Sequence, residues 1–256
     1  MIELTIADDV ATIVLNAPRK LNALNMDDLE ELSRVYLEAE RAEVRALVVR
    51  GEGRAFCAGR DISEVDPAHD DVEAYLGQRA ESLFRQMAGF PAPTFAAVHG
   101  ACLGVGLGLA ISTDVVYVAE DAKIGSPFAN LGATLDSGGH ALFYERLGAH
   151  RALDLIYTGD MMSGAEAVAA GLFSRAVPAD ELLEFTMSRV NRVAQGATHA
   201  YLASKGLVAQ LRDRRVGLWE SMEAESGEQA RLCSTEDYAE GFAAFQQKRT
   251  PTFRGK

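Results

Sequence analysis

Residues 93–114, PTFAAVHGACLGVGLGLAISTD, are the stretch from which the fold can be read. Thr94 to Val98 is a short β-branched and aromatic run behind Pro91 and Pro93, which predicts a strand entering a buried sheet. Gly100, Gly104, Gly106 and Gly108 follow, and Leu107 to Ile111 is apolar enough for a helix packed on every side. The glycines therefore stand at a predicted strand-to-helix junction. The first N–H groups of a helix lack internal partners and carry partial positive charge, so such a junction can hold an anion or a developing oxyanion. Two other readings fit the same residues. One is close backbone packing alone. The other is a dinucleotide loop, but G-x-G-x-G is not the full fingerprint, and position 128, about 20 residues on, is phenylalanine instead of an acid ending a strand. The oxyanion reading gains weight only from a second donor loop.

Upstream, Ile2 to Ala7 and Val10 to Leu15 around Asp8-Asp9 predict a hairpin. Met26 to Ala42 carries apolar residues at Leu29, Leu32, Val35 or Tyr36 and Ala39, a helical period with Asn25 as N-cap. Ala46 to Val49 reads as a third strand, and Gly51 to Ile62 as a Gly-rich loop at its C-terminal end, where α/β folds bind ligands. Asp70 to Phe90 predicts one long amphipathic helix. Downstream come short strands at Val115 to Ala119 and Ala122 to Ile124, a loop over Ala129 to Leu135, and a helix after Gly139. From His150 on the pattern is helical (151–157, 163–170, 180–194, 199–211, 217–232 and 235–248), broken only by strand character at Phe173 to Val177. This divides the chain into a strand-and-helix core over 1–195 and a C-terminal helical region over 196–256.

Composition bounds the function. A net charge of −12 argues against binding nucleic acid or an anionic membrane through the overall field. Three scattered cysteines, Cys57, Cys102 and Cys233, suggest neither a disulfide frame nor a metal site. No stretch resembles a spanning helix or signal peptide, so a cytoplasmic location is expected. A polyanionic ligand would need a local basic patch. Gln246 to Lys256 supplies four cations and no acid, and Arg19-Lys20 a smaller pair; a solvated tail explains the first equally well.

Six segments resemble, in order and spacing, the crotonase or enoyl-CoA hydratase/isomerase superfamily: RKLNAL at 19–24, AFCAGRDI at 55–62, VHGACLGVGLGLAISTD at 98–114, AKIGSP at 122–127, SGAEAVAAGLFSRAVP at 163–178 and TEDYAEGFAAFQQKRTPTF at 235–253. The resemblance implies an α/β fold, a spiral of ββα turns with a C-terminal helical region, assembled as a homotrimer or dimer of trimers. It also implies acyl-CoA substrates, coenzyme A entering as part of the substrate, and no further cofactor or metal. Two backbone amides would hold the thioester oxygen as it becomes an enolate; by motif position they belong to Arg60 and Val105. Each such donor contributes roughly 3–4 kcal/mol to the transition state. The Arg60 side chain must then point away from the oxygen, or toward a CoA phosphate. Lys20, Ala23, Leu24, Ala58, Arg60, Asp61 and Ile62 match segments that border the cofactor. Phe245 and Lys248 match positions that reach its adenine end on a neighbouring subunit, which favours phosphate binding by Lys248 over a solvated tail.

The departures from the family pattern bear on the chemistry. Hydratases of the family carry two glutamates, where this chain has Gly108 and Phe128. Asp136 matches the position where other branches place a working aspartate, and PFANLGATLDSG at 127–138 looks most like the ring-opening isomerases of phenylacetate degradation. The competing reading is that Asp136 or Ser137 simply caps the following helix; with the family match, Asp136 is expected to be the acid/base and Ser137 the cap. His140 could assist or be a surface residue, as could Tyr144 and Glu145. Ser126 and Cys57 lack a base partner and are not expected as nucleophiles. The expected activity is a cofactor-free acyl-CoA isomerase with Asp136 as general acid/base. A hydratase with non-standard groups, an aryl-CoA dehalogenase and a CoA-ester binding protein that has lost its activity are the alternatives.

Overall fold

The computed structural model describes residues 1–63, 65, 69–214, 222, 227 and 229–256, the side chains of 130, 131 and 245 excepted. The chain opens with the expected hairpin, β1 (Ile2–Ala7) and β2 (Val10–Leu15), whose turn residues Asp8 and Asp9 both take positive φ. Next comes α1 (Met26–Arg41). The Asn25 side chain accepts from the Asp28 amide at 2.9 Å and the Asp28 carboxylate accepts from the Asn25 amide at 3.0 Å. This reciprocal cap contributes about 1 kcal/mol. The apolar stripe Leu29, Leu32, Val35, Tyr36 and Ala39 is buried.

Three turns of the spiral follow, each giving one strand to a large sheet and the next to a small one. They are β3 (Ala46–Gly51) then β4 (Ala55–Cys57), β5 (Thr94–Val98) then β6 (Ala101–Leu103), and β7 (Val115–Ala119) then β8 (Lys123–Gly125). A helical segment follows β4, π-helical over Glu73–Ala80 and α-helical as α2 (Glu81–Ala88), and α3 (Val105–Ile111) follows β6. After β8 come a 3-10 turn (Pro127–Leu131), α4 (Gly139–Leu147), α5 (Ala149–Thr158), β9 (Met162–Ser163), α6 (Gly164–Ala169), β10 (Arg175–Val177) and α7 (Leu182–Ala194). The large sheet runs β1-β2-β3-β5-β7-β10 and is parallel apart from the hairpin; the small one runs β4-β6-β8-β9. Every residue of β5 is buried, as expected for a parallel strand covered on both faces.

Three expectations need correction and a fourth is untested. The glycines of 100–108 do not form a simple strand-to-helix junction: β6 intervenes, held by its neighbours rather than by local propensity, with Cys57 opposite Cys102 and Leu103 opposite Gly125. The single long helix over 70–90 is π-helical over Glu73–Ala80, where Tyr75 and Ala80 are buried, and becomes α-helical from Glu81. The loop over 129–135 starts inside a 3-10 turn opened by Pro127. Most of the predicted helix 217–232 lies outside the described residues.

The C-terminal helices α8 (Thr198–Arg214) and α9 (Glu236–Gln247) are stapled to the core by cations. The Lys205 ammonium donates to the carbonyls of Phe90 (2.9 Å) and Ala92 (3.2 Å) and pairs with Asp114 (3.0 Å). The Arg45 guanidinium donates to the carbonyls of Gly196 and Phe253. The basic tail is folded back on α9, with its four cations exposed. Arg249 pairs with Glu240 at 2.6 Å, and the buried Asp237 carboxylate accepts from the amides of Arg254 (2.7 Å) and Gly255 (2.8 Å). Among the described residues no helix is long and apolar enough to cross a membrane.

Candidate active site

Strands β4 and β6 are parallel neighbours, so the loops at their C-terminal ends emerge side by side. The first loop carries Ala58 to Ile62 and the second Gly104-Val105. A Cβ added at Gly59 would lie 2.7 Å from the Leu103 carbonyl oxygen and 3.6 Å from the Val105 nitrogen, so the loops touch. Leu24 pairs with the first loop: its amide donates to the Gly59 carbonyl (2.8 Å), and its carbonyl accepts from the Asp61 amide (2.9 Å). That pattern passes over the Arg60 amide. Among the described residues neither the Arg60 N–H nor the Val105 N–H has an acceptor within the chain. The two predicted donors are thus brought to adjoining loops, both unpaired.

Gly104 sets the aim of the second donor. Its φ of 50° and ψ of −118° suit glycine alone, and a Cβ there would lie 2.6 Å from the Phe128 Cζ. The Phe128 ring therefore packs on the backbone immediately before Val105.

The Arg60 side chain turns away from the two amides. Its guanidinium makes a bidentate pair with Asp70 (2.9 and 2.5 Å) and stacks on the Tyr75 ring at 4.4 Å. The Tyr75 hydroxyl donates to the Leu24 carbonyl at 2.7 Å, which ties the clamp to the backbone that frames the first donor. Of the two expectations for Arg60, the structure thus gives the first: the side chain points away from the oxyanion position, and its partner is Asp70. Lys20 is engaged likewise, donating to Asp28 (3.0 Å) and Asp61 (3.2 Å). Burial works against its charge, yet the two carboxylates raise its pKa above the ordinary value. Ala23 and Leu24 are buried, Ala58 is half-buried and Ile62 is exposed. Phe245 lies on α9 with its side chain outside the described residues, and Lys248 is exposed just beyond it.

Asp136 lies in the turn before α4. Neither it nor Ser137 caps that helix, and the expectation that Ser137 would do so is wrong. The N-cap is Gly138, in the left-handed region, with no side-chain bond to the helix, and Gly139 N–H donates to the Asp136 backbone carbonyl (2.9 Å). Asp136 Oδ1 and Ser137 Oγ are both buried without a hydrogen bond of proper geometry. Burial pushes the Asp136 carboxyl above its ordinary pKa, against the opposing pull of Ser137, Arg60 and His140. Leu135 is buried beside it.

Gly108 on α3 faces the same turn. A Cβ at that position would lie 2.5 Å from Phe84 Cζ and 2.7 Å from Ser137 Cβ. The room for a side chain at 108 is therefore taken by the Phe84 ring and by Ser137. His140 is exposed, its Nε2 3.5 Å from Thr134 Oγ1, and Tyr144 and Glu145 are exposed as well. The Cys57 thiol is pushed up to about 12 by burial and donates to the Asn22 carbonyl at 3.1 Å, so it is an inert core group.

Two residues escaped the sequence reading. Phe84 looked like one more apolar position on a helix. Asn22 is wholly buried and in the left-handed region. Its amide donates to the carbonyls of Glu52, Ala55 and Phe56 (3.0, 2.8 and 3.2 Å), and its oxygen accepts from Ala17 N–H (2.8 Å). It thereby locks the 17–24 loop onto β4. An asparagine between two apolar residues, directly after the Arg19-Lys20 pair, was the available signal.

Residues 5–256 match the enoyl-CoA hydratase/isomerase family. The chain is 33% identical over 248 residues to the 2,3-dehydroadipyl-CoA hydratase of Escherichia coli, covering 96% of each chain. It is 35% identical over 251 residues to the human mitochondrial enoyl-CoA hydratase domain-containing protein 2, covering 96% of this chain and 86% of that one. The crystal structure of an enoyl-CoA hydratase from Bacillus anthracis matches it with a TM-score of 0.89 at 30% identity, over 100% of this chain and 99% of that one.

Proposed function

The chain belongs to the enoyl-CoA hydratase/isomerase family, and from that premise we propose that it is an enoyl-CoA isomerase with Asp136 as general acid/base. In this reading the thioester carbonyl lies against the Arg60 and Val105 amides. Negative charge grows on that oxygen as a proton leaves carbon, and two preset N–H donors lower the cost. The Asp136 carboxylate takes the proton from one carbon of the acyl chain and returns it to another. The double bond moves, the carboxylate is regenerated and no co-reactant is consumed.

The observation that carries this reading is the state of Asp136. Among the described residues its Oδ1 is the one carboxylate oxygen buried without a hydrogen-bond partner, and its chain neighbour Ser137 lies against Gly108, where a hydratase of the family would place a glutamate. Phe128 fills the second such position, packed on Gly104. A raised pKa also suits a group that must both take and release a proton near neutral pH. The PFANLGATLDSG segment supports a place near the ring-opening isomerases of phenylacetate degradation. The adenine end of CoA falls to Phe245 and Lys248, and assembly to a homotrimer or dimer of trimers.

A second reading, hydration with Asp136 activating the water, is favoured by the relatives, which are named for hydratases. One experiment separates the two. A β,γ-enoyl-CoA and the matching α,β-enoyl-CoA are incubated with enzyme in deuterated water, and exchange at the α and γ carbons and any 3-hydroxyacyl product are followed by mass spectrometry. Double-bond migration with exchange, falling about 10²–10⁴-fold in Asp136→Asn, is the expected result. Rapid hydroxyacyl formation without migration would overturn it.

A further inference from the structure

We propose that Ser137 is the positioning residue for Asp136, its hydroxyl donating to the carboxylate and holding it ready for proton transfer. The proposal deepens the isomerase reading and rests on it for the identity of the proton-transfer group. Three independent features of position 137 lead to it.

Ser137 takes φ of +55°, a left-handed conformation that costs a side chain with a Cβ and that glycine would adopt freely. Its Oγ is buried and unpaired, a second cost. Nor is there a helical return for either, because Gly138 occupies the cap. The fold would lose nothing local by placing glycine at 137, so the hydroxyl's use is neither a helix cap nor a backbone bond.

The surroundings say what that use is. Ser137 Cβ lies 2.7 Å from where a Cβ at Gly108 would be, so Ser137 occupies the direction in which α3 would project a side chain. Its chain neighbour holds a second unpaired buried polar atom, Asp136 Oδ1. One of the two is a donor and the other an acceptor, both shielded from water and within side-chain rotation of one another. A hydroxyl rotor that donates to the ionised carboxylate, and swings off when the carboxyl is protonated, stabilises the base without blocking the acid. The charged and titratable groups felt at Asp136 are Arg60 from the first donor loop and His140 from α4, with Tyr75 of the π-helix linked to both Arg60 and Asp136. Among these and Ser137, the hydroxyl is the one group on the adjacent residue.

The test compares Ser137→Gly and Ser137→Ala with the wild type. Both remove the hydroxyl, but only glycine also relieves the backbone. The readouts are thermal unfolding, the carboxyl titration of Asp136 by carbon NMR, and the pH dependence of kcat/KM for double-bond migration. In both variants the Asp136 titration and the acid limb of kcat/KM should move to higher pH, and kcat should fall about tenfold with KM nearly unchanged. Ser137→Gly should nevertheless melt at or above the wild-type temperature. An Asp136 titration unmoved by either substitution would overturn the proposal, as would activity lost only in step with thermal stability. Because the titration needs no turnover, an absence of isomerase activity in the wild type would count against the isomerase reading and leave the Ser137–Asp136 link to be judged on the NMR result.

Discussion

Gly104→Ala offers the sharpest test of how the second donor is aimed. At φ 50° and ψ −118° an alanine adds backbone strain of about 1–3 kcal/mol. Its Cβ would stand 2.6 Å from Phe128 Cζ, well inside ordinary contact, adding about 1–3 kcal/mol of overpacking. Together they come to roughly 2–6 kcal/mol against a usual domain stability of about 5–15 kcal/mol, so the variant should fold but unfold at distinctly lower urea. Val105 is the next residue, and relief of either strain turns its N–H, so loss of that donor should lower kcat by about 10²–10³-fold. Adding Phe128→Ala to Gly104→Ala removes the ring but not the backbone strain. A four-protein cycle should therefore give favourable coupling in stability of about 1–3 kcal/mol with most of the kinetic defect still present. If Gly104→Ala unfolds at the wild-type midpoint, or the Phe128→Ala background restores full activity, the strained-glycine account of the donor is wrong.

Three further outcomes follow from the same geometry. The folded state raises the Asp136 pKa above 3.8, so it binds the proton more tightly than the unfolded chain; this contribution favours the fold at low pH and is lost as pH rises through the folded value. Asp136→Asn should thus match the wild type in thermal stability near pH 4 and exceed it near pH 7, the difference growing in between. Asp70→Asn frees the Arg60 guanidinium of its partner, strengthens its pull on Asp136, and should shift the acid limb of kcat/KM to lower pH. Asn22→Ala leaves two buried carbonyls, one partly buried carbonyl and one amide without that partner and should cost about 2–4 kcal/mol in urea unfolding, with kcat falling as the Leu24 frame of the first donor loosens.

Much of this architecture was legible because the signals were local. The hairpin turns at two aspartates, residues that tolerate positive φ, and α1 carries both halves of its capping box within four residues. β6 was not legible, since three residues between glycines have no strand character of their own and owe it to partners more than 20 residues on in β8. The site divides along the same line. The family resemblance pointed to the Arg60 and Val105 amides, and the structure sets them on adjoining loops without partners, since a backbone N–H needs only its loop to be in place. Side-chain destinations were hidden: Arg60 finds Asp70 and Lys20 finds Asp61, contacts that depend on how loops close in space. Asp136, Ser137 and Gly138 are adjacent candidates for one cap, and only their backbone angles show that Gly138 takes it.

The placement of polar groups around the two amides bears on whether one carboxylate could suffice, as the isomerase proposal requires. Adding water to a double bond calls for a held water and a proton delivered to the neighbouring carbon, tasks that two carboxylates on opposite walls can share. Here one wall presents Gly108 with the Phe84 ring against it, and the other presents Phe128 against Gly104. An ordered water needs about 2–4 polar partners, and aromatic faces supply none. Moving a proton between carbons of one enolate asks less: a single carboxyl that alternates between base and acid, near enough to both carbons and dry enough for its pKa to rise. Under the isomerase proposal Asp136 has the burial and the unpaired oxygen for that task, and Ser137, Arg60 and His140 pull against the rise in pKa that burial causes. Exchanging Phe128 for glutamate would put a second carboxylate beside Gly104, and the ratio of hydroxyacyl to migrated product should then rise relative to the wild type, by mass spectrometry of the same substrate pair. A ratio unchanged in a folded Phe128→Glu enzyme would mean that the aromatic wall does not govern access of water.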